Sequence, residues 1–417
     1  MSRSPRSNIR RLALGRLISV TGGAAAYTAL NFTVWERTHS PSMQALSLLL
    51  TFGVAGILGP LGGALGDRFD RRKVMIISEA ASAAVFLVMV PIHDPGLLIG
   101  VAFVSALTEL PFFSASRAAI PNLAEREEDI AWANSLVTTG VHAGIAIGPV
   151  IGGLLVGTVG ASWVFGLNAV SFLVSRVITV QLRGRFREER TAEHDEHVGI
   201  GAGVRFLWRE PVLRRMSAAW LVFVLGMGMG MVADAPLAES FRAGGLGFGL
   251  LIACWGTGSV VGTLFGRFLN ERTEPVVMVL GAAGIALAAA GVGYAPAFPL
   301  VLGSLLVMGT CDGLTIVAEN GVMQRRTPDA VRSRTMAAFD AALSLGLVIA
   351  YLCAGPVLRA LGPQPVYRIG AVGAAGATLV LMPLMRLRHA PAEGQPQEEP
   401  QVETTLAVEE ALLPPAV

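Results

Sequence analysis

Residues 63–72 read Gly-Ala-Leu-Gly-Asp-Arg-Phe-Asp-Arg-Arg. An apolar run, 43–66, leads into them, and past Lys73 a second apolar run covers 74–92. Each run matches the roughly 20 residues that an α-helix needs to cross a bilayer. Arg68, Arg71, Arg72, Asp67 and Asp70 are therefore concentrated in a short link between two apolar segments. This is the pattern of a tight charged loop joining two membrane helices, with small residues where the first helix ends.

The rest of the chain agrees. Of 417 residues 53% are hydrophobic and 15% charged, with a mean hydropathy of +0.59. Soluble chains carry about 25% charged residues, so a soluble enzyme and a disordered protein are both excluded. Gly is frequent, at 49 residues, as suits closely packed membrane helices. A formal charge of +2 gives no reason to expect a nucleic-acid partner. Cys254, Cys311 and Cys353 are scattered in apolar stretches, and His194 and His197 belong to a charge-rich run, so no metal site is expected. There is no GxxxxGK[ST] phosphate loop and no nucleophile–base arrangement, which leaves neither ATP, nor another cofactor, nor enzymatic activity to assign.

Reading for further apolar runs gives spans near 12–35, 43–66, 74–92, 97–120, 131–156, 161–182, 213–237, 246–268, 275–294, 297–322, 334–357 and 364–386. With the N-terminus in the cytoplasm, the 32 basic residues fall on the cytoplasmic side with seven exceptions. Arg37, Arg242, Arg359 and Arg368 lie outside, and Arg16, Arg117 and Arg176 lie within spans. The positive-inside rule thus predicts an all-α protein of twelve transmembrane helices, multi-pass in the cytoplasmic membrane, with both termini cytoplasmic.

One long internal link, 183–212, divides the spans six and six. The expected units are an N-terminal six-helix bundle (1–182), a cytoplasmic linker (183–212) whose end Val198–Glu210 is amphipathic and reads as an interfacial helix, a C-terminal bundle (213–389), and a disordered Pro/Gln/Glu-rich tail (390–417). A faint repeat joins the halves. Gly62 and Gly66 end span 2 much as Gly262 and Gly266 end span 8, 200 residues on, and Pro121 after span 4 matches Pro328 after span 10, 207 residues on. Parallel six-helix repeats are the plan of a transporter that rocks about a central site.

The loop at 63–72 resembles the signature of the major facilitator superfamily, Gly-x-Leu-x-Asp-Arg-x-Gly-Arg-Arg, matched by Gly63, Leu65, Asp67, Arg68, Arg71 and Arg72. Asp70 stands where the family has Gly. The resemblance implies a conformational latch at Gly63, Asp67, Arg68, Arg71 and Arg72, and Asp340, in the inner part of span 11, is a candidate partner. Span 5 resembles the Gly-x-x-x-Gly-Pro-x-x-Gly-Gly motif of the superfamily's antiporters through Gly144, Gly148, Pro149, Gly152 and Gly153. By that resemblance export by exchange is favoured; a purely structural packing seam is the other reading. The segments NIRRLALGRLISVTG, DRFDRRKV, SRAAIPNL and GVRFLWREPVLRR are similar to the drug:proton antiporters that include macrolide-efflux and enterobactin exporters, and the similarity spans nearly the whole chain up to the tail. That branch often carries an acid in span 1 after a Gly, where this chain has Gly22-Gly23.

Ionisable residues inside a span are costly and mark function by default. Glu109 lies mid-span 4 and Asp312 mid-span 10, 203 residues apart and so near-equivalent in the repeat. By the resemblance, spans 1, 4, 7 and 10 line the cavity. Glu109 and Asp312 then load and release protons or hold a cationic substrate; a static pair or packing acid is the competing reading. His142 in span 5 and Asp234 toward the outer end of span 7 join them as candidates. Arg117 is a possible partner for Glu79 or Asp67, and Tyr27, Asn31, Trp35, Met227, Met229 and Met231 are possible pocket residues. The expected function is secondary active, proton-coupled export of a drug-like, siderophore-like or secondary-metabolite-like amphipathic compound, with the protein working as a monomer. An importer or uniporter, a lipid flippase or scramblase, and a non-transporting receptor are the alternatives.

Overall fold

The computed structural model describes residues 5–54, 57–58, 69–123, 127–182 and 201–386. These contain helices and turns and no strand. The long helices run in chain order as α1 (Pro5–Thr38), α2 (Pro41–Leu48, continued by a π-helical turn Leu49–Val54), α3 (Arg71–Met89), α4 (Pro95–Leu123), α5 (Glu127–Thr158), α6 (Ala161–Val180), α7 (Pro211–Ser240), α8 (Gly244–Phe265), α9 (Glu274–Gly293), α10 (Phe298–Arg326), α11 (Asp329–Leu361) and α12 (Pro363–Leu381). A short linker helix, Gly201–Arg209, precedes α7.

Local sequence sets the starts. Pro occupies the first turn of α2, α7, α9, α10 and α12, where its missing N–H costs nothing. Ser40 and Glu210 cap α2 and α7 by accepting from Met43 N (3.4 Å) and Leu213 N (2.6 Å). Asp70 does the same for α3, its carboxylate accepting from Lys73 N at 2.9 Å. The departure of Asp70 from the superfamily's Gly is therefore a helix cap.

Ten of these helices, α1 and α4 to α12, are long and apolar enough to cross a membrane. Helix α3 carries Arg71, Arg72, Lys73 and Glu79 in its 19 residues, and α2 is described only in part, so neither stands out by composition. Several helices outrun their apolar segments: α1 begins at Pro5 and α11 covers Asp329–Leu361, because helical hydrogen bonding continues after the hydrophobic run has ended.

The repeat is far clearer in the backbone than in the letters. Helices α2 to α6 begin at 41, 71, 95, 127 and 161; α8 to α12 begin at 244, 274, 298, 329 and 363. The spacing is 202 or 203 residues throughout. Helices α4 and α10 are both 29 residues long, which puts Glu109 and Asp312 at the same position in each. The connections repeat as well. His39 and Arg242, with φ of 42° and 55°, turn α1 into α2 and α7 into α8. Gly160 and Gly362, at 90° and 84°, turn α5 into α6 and α11 into α12. Positive φ is strained for any residue but Gly, so the shared pair of turns is strong evidence of a common design.

Packing follows the same rule. Helix α1 packs on α5 and α6, as α7 packs on α11 and α12; α3 packs on α4 and α6, as α9 packs on α10 and α12. Among the described residues the first six helices meet the last six mainly through α5 with α8 and α2 with α11, with smaller contacts of α1 and α2 on α7 and of α1 on α8. Residues 183–200 and 387–417, on which the expectations of a charged linker and a disordered tail fall, lie outside the described residues.

Candidate functional site

The glycines of α5 place the centre of the molecule. Gly144, Gly148 and Gly152 lie on one side, against α1: a Cβ at Gly148 would come within 2.6 Å of Thr21 O, and one at Gly152 would meet Ala25 O. Gly153 faces the other way, where a Cβ would come within 2.5 Å of Gly245 O on α8. Gly249 on α8 in turn has no room beside Pro149 O. The motif thus serves two seams, one within the first six helices and one between the first six and the last six. Helix α8 is held as tightly to α10, with Gly258 and Gly262 on one helix and Gly309 and Gly313 on the other meeting backbone across the contact.

Beside that second seam is a cavity of about 220 Å³. Helices α7, α8 and α10 give most of its wall, with Tyr27 from α1, Ile285 from α9, Leu347 from α11 and Tyr367 from α12. The wall is apolar and aromatic, including Phe223, Phe248, Trp255, Met227, Met231 and Met308. Two carboxylates, Asp234 and Asp312, are its ionisable acids, and no Arg, Lys or His lines it. Tyr367, itself buried, donates its hydroxyl to Asp234 Oδ1. Asp312 makes no hydrogen bond among the described residues. Tyr351 Oη donates to Met231 Sδ at 3.3 Å, and the Tyr27 ring meets Phe52 edge-on at 4.5 Å. Such a site is suited to hold an apolar body and to balance a positive charge or a proton.

Asp234 and Asp312 therefore come together, as do Tyr27, Met227 and Met231. Met229 does not line the cavity; it is packed in the core, since residues 227 and 231 share a helix face that 229 lacks. Glu109 is in a different setting. It accepts from Ser105 Oγ at 3.0 Å and lies within electrostatic reach of Arg16. Arg16 is buried against the faces of Phe112 and Phe113, 5.4 and 4.9 Å from the ring centres. Glu79 is fully buried nearby and takes a hydrogen bond from Ser175 on α6. His142 is off the cavity, its Nδ1 against Thr138 O at 2.9 Å. Arg117 stacks on Phe113 at 4.4 Å instead of pairing with Glu79.

Of the candidate latch, Gly63, Asp67 and Arg68 lie outside the described residues. Arg71 Nη1 donates to Ala118 O on α4 at 3.0 Å, and Arg72 Nη2 donates to Val180 O, the last carbonyl of α6. These arginines cap and tie neighbouring helices, a role that sequence reading did not assign. Asp340 is exposed on α11 within electrostatic reach of Arg117 and Glu319.

Sequence reading also missed a cluster at the end where α1 meets α2 and α7 meets α8. Glu239 accepts from Trp35 Nε1 and lies 3.4 Å from His39 Nδ1, while Arg359 on α11 donates to Ser42 Oγ at 2.6 Å. All three contacts join the first six helices to the last six. Arg37 and Arg359, both placed outside by the charge count, are at this end, but nothing in the letters pairs Glu239 with Trp35 across 204 positions.

An acid-bearing cavity among membrane-spanning helices that recur as two sets is the plan of a secondary transporter, and the chain belongs to the major facilitator superfamily. Residues 7–412 match the family described as transmembrane secretion effector. The chain is 25% identical over 394 residues to the enterobactin exporter EntS of Escherichia coli K12, covering 91% of this chain and 92% of that protein. Its counterpart in Shigella boydii serotype 18 is 25% identical over 401 residues, with 92% and 94% covered. Among solved structures, the nucleoside transporter NupG superposes with a TM-score of 0.70 at 15% identity, over 91% of this chain and all of that one. A bacterial homolog of the human lysosomal transporter Spinster gives 0.69 at 16% identity, over 94% and 100%.

Proposed function

We propose that this protein exports an amphipathic organic compound across the cytoplasmic membrane in exchange for protons, as a monomer with twelve spans and both termini in the cytoplasm. The observation that carries the reading is the apolar cavity walled mainly by α7, α8 and α10, with Asp234 and Asp312 as its acids and no cationic lining residue. A charged carboxylate in such surroundings is costly unless it meets a cation or takes a proton. Competition between the two for one acid is the simplest coupling: a proton arriving from outside displaces the substrate's hold, and loss of that proton to the cytoplasm restores it. Glu109, at the equivalent position in α4 but next to Arg16, is assigned to the same proton traffic.

The named relatives export enterobactin, which supports export as the direction and a siderophore-like or drug-like compound as the cargo. The lining chemistry narrows this to uncharged or cationic amphipaths. The tight seam of α5 on α8 supports the contact at Gly153 and Gly249 as the surface about which the two helix sets rock.

The test uses a host stripped of its own efflux pumps. Retention of macrolides, cationic dyes and catechol-bearing compounds is followed with and without a proton uncoupler. Uncoupler-sensitive loss of a compound that is abolished in Asp312→Asn establishes the reading. Efflux that persists unchanged in the uncoupler overturns proton exchange.

A further inference from the structure

The linker helix Gly201–Arg209 has a face that the transport cavity leaves unexplained. With about 100° between successive residues, it divides into three sectors. Gly203 and Leu207 form the first. Gly203 sits directly on the backbone of Arg334 in α11, and Leu207 is buried with Val212, Leu213 and Met216 of α7 and Phe339 of α11. Val204 and Trp208 form the second, and they are 42% and 65% exposed. Arg205 and Arg209 form the third, also exposed, and Arg214 and Arg215 extend the basic face onto the start of α7.

The one acid in this stretch is turned away. Glu210 caps Leu213 N at 2.6 Å and faces Arg326 of α10 at 3.8 Å. Its charge is thus spent on the protein, leaving Arg205, Arg209 and Arg215 with Trp208 on the surface, together with Arg214, whose Nη1 donates to Trp208 O at 3.5 Å while it stays exposed. The helix is also fixed by its docked sector, so the exposed sectors are presented without an ordering cost.

We propose that this face docks on the anionic phospholipids of the adjacent leaflet. Trp208 and Val204 enter the boundary between headgroups and acyl chains, and Arg205, Arg209, Arg214 and Arg215 take the phosphate and anionic headgroup oxygens. An aromatic ring beside arginines on a rigid, surface-lying helix is matched to that boundary, apolar on one side and negatively charged on the other. A soluble acidic protein would satisfy the arginines but would leave no apolar layer for Val204 and Trp208. The docking ties the ends of α7, α10 and α11 to the charge of the membrane.

The experiment uses the full chain in nanodiscs of phosphatidylcholine with part of the lipid replaced by phosphatidylglycerol, one or the other brominated near the headgroup. Both leaflets have the same composition, so the result does not depend on which way the protein is inserted or on whether it exports anything. The Trp208 signal is the component of fluorescence lost in Trp208→Phe. The expected result is quenching by both brominated lipids, about twofold stronger by phosphatidylglycerol at equal mole fraction. That excess disappears in Arg205→Gln/Arg209→Gln, whose unchanged melting temperature and remaining tryptophan spectrum show that it is folded. No quenching of Trp208 by either lipid overturns the proposal, as does equal quenching by both in the unaltered protein.

Discussion

Asp312 and Asp234 share a cavity but are held differently, and the difference is testable. Tyr367 donates to Asp234, while Asp312 has no hydrogen-bond partner among the described residues. Asp312→Asn is expected to abolish uncoupler-sensitive efflux. Tyr367→Phe removes one hydrogen bond to a charged group, worth about 1.5–3 kcal/mol, and is expected to lower efflux about tenfold without abolishing it. Both are read as initial efflux rates at matched expression. Asp312 was legible in the sequence, because an acid in a long apolar run has few structural excuses. Its companion Asp234 was legible as a membrane acid, but its Tyr367 partner is 133 residues away and only the fold brings them together. Glu79 illustrates the limit from the other side: the sequence offers it only as a partner for Arg117, whereas it is fully buried beside Ser175 and near Arg16. Glu79→Ala leaves the buried Ser175 hydroxyl without its acceptor and is expected to cost about 1–3 kcal/mol, visible as a fall in melting temperature in detergent.

At the scale of elements, the glycine motif of α5 was readable as a spacing but not as a direction. Every fourth position marks a seam, and the sequence does not say which helix lies on which side. The structure assigns Gly152 to α1 and Gly153 to α8, and so separates two effects that one motif would blur. Gly152→Val overpacks the interior of the first six helices and is expected to lower stability by about 1–3 kcal/mol, measured as a shift in melting temperature. Gly153→Val also meets backbone and is expected to lower melting, but because its contact is with a helix of the other set it is expected to slow efflux, at matched expression, more than Gly152→Val does. No selective effect on efflux would count against that division. Helix bounds were legible to within a few residues where Pro or a capping side chain fixed them, as at Pro41, Glu210 and Pro363. They were less so at Pro5 and Asp329, where polar helical turns extend beyond the apolar run.

At the scale of the molecule, the repeat was only hinted at by scattered Gly and Pro matches, since sequence drifts while helix lengths and turn geometry are kept by packing. The regular spacing of helix starts and the paired positive-φ turns bring the design out. One end of the molecule is pinned across the two helix sets by Trp35 with Glu239, His39 with Glu239 and Ser42 with Arg359. A Cβ at Gly355 would come within 3.3 Å of Ser42 Cα, close enough for a disulfide. In a chain with its native cysteines replaced by Ser, Ser42→Cys/Gly355→Cys is expected to form that bond under oxidation, to stop efflux, and to recover it on reduction. A cross-linked protein that still transports at full rate would show that this end need not open.

The central claim is that protons and substrate share the acids of the cavity. Its most direct test is substrate-driven proton movement in proteoliposomes holding an imposed pH gradient, comparing the unaltered protein with Asp312→Asn and Asp234→Asn, with a compound identified by the efflux panel. The account predicts that the compound dissipates the gradient with the unaltered protein and not with Asp312→Asn. Proton movement of full size in a chain carrying both substitutions would contradict it.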